Sequence, residues 1–93
     1  MTTIIVTMET ILTIINPFFD KNTWQCYKKE NTLSYRKRED EFIISLLPNT
    51  GEIKVSVPLR EVIYYNKFYN IEKATEYIKM HLTQRGETPL TPH

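Results

Sequence analysis

The sequence predicts an α+β domain: an antiparallel meander of four to five strands with one C-terminal amphipathic helix packed on its apolar face. Two observations carry this. Residues 23–58 divide into short segments whose apolar positions share one face when folded as consecutive hairpins. Residues 71–85 carry a helical apolar stripe bounded by start and stop signals.

The first segment ends at Asn16-Pro17, because the residue before proline is pushed out of the α region. Two patterns compete within it. At helical spacing Ile4, Ile5, Met8, Ile11, Leu12 and Ile15 gather on one side, opposite Thr2, Glu9, Thr10 and Thr13. Alternation through Ile4, Val6, Met8, Leu12 and Ile14 fits a strand nearly as well. Eleven of residues 2–15 are Thr, Ile or Val, and that β-branching tips the reading to a strand.

The hairpin around Pro48-Asn49-Thr50-Gly51 is the best-defined local feature. It pairs Leu47 with Glu52, Leu46 with Ile53, Ile44 with Val55 and Phe42 with Val57, and on the other face Ser45 with Lys54 and Ile43 with Ser56. A slip of one residue would turn every apolar side chain to water. Upstream, a turn at Glu39-Asp40 pairs Lys37 with Phe42, Tyr35 with Ile44 and Leu33 with Leu46. A turn at Glu30-Asn31 pairs Cys26 with Tyr35 and Lys28 with Leu33, leaving Trp24 opposite Lys37. The shared apolar face is then Trp24, Cys26, Leu33, Tyr35, Phe42, Ile44, Leu46, Ile53, Val55 and Val57.

Residues 59–69 fit either a fifth strand or a helical turn entered at Pro58. After them, Asn70 is a good N-cap, Glu72 sits in the first turn, Arg85 in the last, and Gly86 suits the stop. Ile71, Ala74, Ile78 and Leu82 form the stripe, with Tyr77 beside it. Residues 1–86 are thus one domain, and 87–93, with Pro89 and Pro92, a loose tail.

Composition narrows the function classes. A chain of 93 residues holds one domain. Its 12 Lys+Arg balance 11 Asp+Glu, so net charge announces neither a nucleic-acid nor a membrane partner. One cysteine excludes an internal disulfide. Two histidines with it do not supply the usual zinc ligands, so no metal and no cofactor is expected. Glu9 and five threonines interrupt the apolar run of the first nineteen residues, and no basic n-region or small-residue cleavage site precedes a mature start. A cytoplasmic protein is the expectation. Ile, Lys, Asn and Tyr make up 31 residues, amino acids with A/T-rich codons, which points to a low-GC genome.

The sequence holds no Gly-rich phosphate loop, nucleophile elbow or His-Glu motif, so a non-enzymatic protein is expected. Cys26 alternates with Trp24 on the apolar face and reads as a buried, inert thiol; His81 reads as a boundary residue on the helix flank. Glu39, Asp40 and Glu41 read as turn formers and charge balance.

Two features remain as candidate sites. Tyr64, Tyr65, Phe68 and Tyr69 crowd one short stretch, and tyrosines give large contact area at small rotamer cost. They mark a candidate protein interface. Residues 52–58, with Lys54 as their main deterrent and Pro58 blunting only one end, mark an edge strand open to pairing. The leading expectation is a small protein-interaction module, such as an adaptor, accessory subunit or phage-type inhibitor, with a protein partner or a second copy (a homodimer) on one of these surfaces. The alternative rests on Tyr27, Lys29, Arg36 and Lys54, which share the polar sheet face. Cations along phosphates and a ring for a base are what a nucleic-acid platform needs.

Overall fold

Helix α1 (Met8–Ile15) opens the described part of the chain, which in the computed structural model covers residues 7–59 and 61–84. Thr7 caps it, its hydroxyl accepting from the Thr10 N–H at 3.3 Å. The strand expected here is therefore corrected to a helix over residues 8–15; Ile4, Ile5 and Val6 lie outside the described residues. Alternation would have put Ile11 and Ile15 on the face opposite Met8, whereas the helix buries all three, with Leu12 packed beside them. The magnitudes decide it. Five β-branched residues cost the helix at most ~0.7 kcal/mol each, while each large apolar side chain buried on the sheet returns about 1.5–3 kcal/mol.

A 3₁₀ turn, Asn16–Phe18, follows with Pro17 in its first turn. Asp20 then ties the chain back. Its carbonyl accepts from the Thr23 and Trp24 N–H groups at 3.0 and 2.8 Å, and its carboxylate from the Asn22 N–H at 2.9 Å. That knot delivers Trp24 to the core at the start of the sheet.

The sheet has five antiparallel strands in sequence order: β1 (Gln25–Lys29), β2 (Thr32–Lys37), β3 (Asp40–Leu46), β4 (Ile53–Leu59) and β5 (Val62–Phe68). The predicted β1–β2 pairs Cys26↔Tyr35 and Lys28↔Leu33 hold, as do Ile43↔Ser56, Ile44↔Val55, Ser45↔Lys54 and Leu46↔Ile53 between β3 and β4. Gly51, at φ 76°, closes the latter hairpin, where Leu47 N–H donates to the Glu52 carbonyl at 2.8 Å.

Between β2 and β3 the expected register is corrected by two residues. Tyr35 faces Phe42 and Leu33 faces Ile44, with Lys37↔Asp40 closing a two-residue turn at Arg38-Glu39. Arg38 there adopts φ 54°, and Glu30 φ 52° in the β1–β2 turn, a left-handed conformation that a two-residue hairpin demands and that neither side chain advertises. A shift of two keeps each side chain on its face, so the apolar face survives the correction.

The apolar face carries Leu33, Tyr35, Phe42, Ile44, Ile53, Val55 and Val57, all buried. Helix α1 packs on β2, and the C-terminal helix α2 (Ile71–Gln84) packs on β4 and β5. Asn70 caps α2 as expected, its side chain accepting from the Glu72 N–H at 2.7 Å. Ala74, Ile78 and Leu82 are buried, and Ile71 and Tyr77 lie partly buried at the margin. Arg85, Gly86 and the expected tail lie outside the described residues. Between the helices and the sheet Phe19 stacks flat on Tyr35 (centroids 4.0 Å, planes 5° apart) and meets Trp24 and Phe42 edge-on at 5.1 and 5.3 Å. Among the described residues no helix is long and apolar enough to cross a membrane.

Candidate interaction edge and outer sheet face

Residues 59–69, ambiguous in sequence, place β5 on the outside of the sheet. This corrects the expected edge. Of residues 52–58, all but Glu52 belong to β4, which is paired on both sides, and the open edge is Val62–Phe68. Pro58 is tolerated because its missing N–H falls beyond the end of the β3–β4 ladder at Ser56.

The β5 edge is apolar on both faces from Val62 to Tyr65. Val62 and Tyr64 project to the helix side, opposite Leu59 and Val57, yet α2 covers only the far end of the strand. They remain 51% and 49% exposed. Ile63 and Tyr65 project to the outer side, 63% and 60% exposed, and Tyr69 lies just beyond the strand at 77%. Of the four predicted interface residues, Tyr64, Tyr65 and Tyr69 are therefore open to a partner. Phe68 is not: it packs at the core margin against Tyr77, with ring centroids 5.4 Å apart. No charged residue interrupts Val62–Asn66. The opposite edge, β1, carries Lys28 and Lys29, and Lys28 is tied to Glu9 at 3.6 Å. Natural edges are blunted by such charges, so β5 is the less protected of the two.

The outer sheet face brings the second set of predicted residues together. Tyr27, Lys29, Arg36 and Lys54 all project from it, on β1, β2 and β4. The Arg36 guanidinium lies over the Tyr27 ring at 5.4 Å and donates to Glu41 at 2.6 Å, and the Tyr27 hydroxyl donates to Gln25 at 2.8 Å. Sequence reasoning missed two members. Tyr65 and Lys67 join this face through β5, with Lys54 over the Tyr65 ring at 4.9 Å and Lys67 registered beside Lys54. One cross-strand row runs Tyr27, Ser34, Ile43, Ser56, Tyr65. It holds a ring at each end and small side chains at two of its three inner positions, about 19 Å end to end at the usual strand spacing. Four cations and one carboxylate, Glu41, stand in the strand ladder of this face.

A third feature is an open cleft of about 350 Å³ lined by Asn16, Phe19, Trp24, Cys26, Tyr27 and Tyr35 among others. Here another expectation is corrected: Cys26 is exposed. It has the predicted face and the predicted partner, but β1 is an edge strand and all five of its residues are exposed. Beside it the Tyr35 hydroxyl donates to Asn16 Oδ1 at 2.9 Å. Burial first, and then the neighbouring Cys26, push the Tyr35 phenol well above its usual range. His81 sits on the α2 flank, edge-on to Tyr77 at 4.6 Å.

Comparison with protein families, with curated proteins and with solved structures returns no match.

Proposed function

We propose that this protein is a non-enzymatic interaction module that binds a protein partner by strand addition at β5. The observation that carries the reading is an edge strand seven residues long, straight in register, with large apolar side chains exposed on both faces from Val62 to Tyr65, left beside a helix that covers only its end. Main-chain groups on such an edge supply affinity, and alternate side chains supply specificity. The test is Tyr64→Ala with Tyr65→Ala. Both side chains are about half exposed, so the thermal melt should shift little, while association with itself or with a captured protein is lost. Association that survives in a folded double variant overturns the reading.

The outer face favours a second reading, a single-stranded nucleic-acid platform, through its four cations and the Tyr27–Tyr65 row. Labelled oligonucleotides titrated at low and near-physiological salt decide it. Binding that weakens steeply with salt and vanishes in Arg36→Glu supports it. No binding at low salt removes it.

A further inference from the structure

We infer that the strand received by β5 is the β5 of a second copy, antiparallel and centred on Tyr64; this rests on the strand-addition reading and narrows it to one partner. The hydrogen-bond alternation of the sheet shows which groups are on offer. Leu47 N–H donates to the Glu52 carbonyl, so on β4 the residues 52, 54 and 56 turn their backbone groups toward β3, and 53, 55, 57 and 59 turn theirs toward β5. Their partners on β5 are Phe68, Asn66, Tyr64 and Val62. The N–H and C=O groups of Ile63, Tyr65 and Lys67 therefore point off the edge. The Asn66 side chain agrees: its Oδ1 accepts from the Lys67 N–H at 2.9 Å, capping that outward donor from the same strand. Ile63 and Tyr65 keep theirs open.

A two-fold antiparallel pair must set outward residues against outward residues, so its axis passes through a residue of the strand interior, Ile63, Tyr64, Tyr65 or Asn66. Centring on Asn66 sets Lys67 against Tyr65. Centring on Ile63 sets Glu61 against Tyr65 and leaves Lys67 past the overlap. Centring on Tyr65 sets Lys67 against Ile63. Centring on Tyr64 sets Ile63 against Tyr65 of the second copy, twice, and Glu61 against Lys67 of the second copy, twice. Only this last arrangement opposes unlike charges, and it joins the two open residues, Ile63 and Tyr65, in a β-branched–aromatic pair. The two-fold axis stands perpendicular to the sheet, so faces are kept. Tyr64 meets its own copy on the helix side at a position without cross-strand hydrogen bonds, where side chains approach most closely. The product is one ten-stranded sheet.

Sedimentation velocity over a concentration series tests it with the parent, Glu61→Lys, Lys67→Glu, the double swap and Ile63→Pro. The parent should dimerise. Each single reversal creates two like-charge pairs per dimer and should weaken dimerisation about tenfold, and the double swap should restore it to within about threefold. A parent that stays monomeric, or a double swap no tighter than the single reversals, overturns the inference. Ile63→Pro separates this from the underlying reading, because proline is compatible with an outward-facing edge position but blocks an added strand there. A parent dimer lost in Ile63→Pro with a flat charge cycle refutes the register and keeps strand addition. A dimer as tight in Ile63→Pro as in the parent refutes both.

Discussion

Val55→Asp puts a carboxylate at the centre of the dry face, and its cost follows from the structure. Val55 is fully buried between Ile44 and Asn66 in register, beneath the helix layer. Losing the valine burial removes about 2 kcal/mol. The new carboxyl must also be neutral to stay inside. At pH 7, protonating a group with an unfolded pKa of about 3.9 costs about 4 kcal/mol. The sum, about 6 kcal/mol, compares with a total stability of about 5–14 kcal/mol for a domain of this length. Val55→Asn isolates the ionic part. Because folding raises the carboxyl pKa, the Asp variant regains stability as pH falls toward the unfolded value. The gap between the Asp and Asn variants should shrink by about 3 kcal/mol between pH 7 and pH 4.5. Urea unfolding followed by circular dichroism at both pH values reads this directly. An Asp variant as stable as the parent at pH 7, or an Asp–Asn gap that does not move with pH, would refute the assigned face and register.

Asn70→Ala removes the cap on the Glu72 N–H and should cost about 1 kcal/mol, lowering Tm by several degrees, while Asn70→Asp keeps the cap. Phe19→Ala removes the ring stacked on Tyr35 and should cost about 3–5 kcal/mol, with the Trp24 fluorescence changing in any variant that stays folded. Tyr35→Phe tests the raised phenol pKa. The folded state holds that proton more tightly than the unfolded chain, so the contribution is complete below about pH 10 and is lost above it. The variant forfeits up to about 1 kcal/mol at neutral pH with the Asn16 hydrogen bond, yet should lose less stability than the parent between about pH 8 and pH 11.

The sheet was legible because period-two alternation fixes faces even when a turn is misjudged. The two-residue error at Arg38-Glu39 left Leu33, Tyr35, Phe42 and Ile44 inside, since the faces repeat every second residue. Helix α1 was obscured by its own composition: Ile and Thr favour a strand locally, and only burial against the sheet makes a helix of them. Phe18 and Phe19 lie in an irregular connection where no periodicity exposes them as core. Cys26 was assigned its correct face but not its exposure, because alternation says which way a side chain points and not whether anything covers it.

The candidate site shows the same division. Tyr27, Lys29, Arg36 and Lys54 could be grouped from pairing alone. Tyr65 and Lys67 could not, because β5 is apolar on both sides from Val62 to Tyr65 and alternates on neither. The absence of alternation that made residues 62–66 hard to assign is also what makes them a binding edge. A strand buried on one face reads clearly; a strand waiting for a neighbour does not.

Hydrogen–deuterium exchange at the Ile63 and Tyr65 amides, measured at low and at high protein concentration, tests the central claim most directly. Both amides point off the edge, so the account predicts fast exchange in dilute solution and strong protection as concentration rises, with the β1 amides of Cys26 and Lys28 unchanged. Amides on β5 that exchange equally fast at every concentration, or protection that appears on β1 instead, would contradict it.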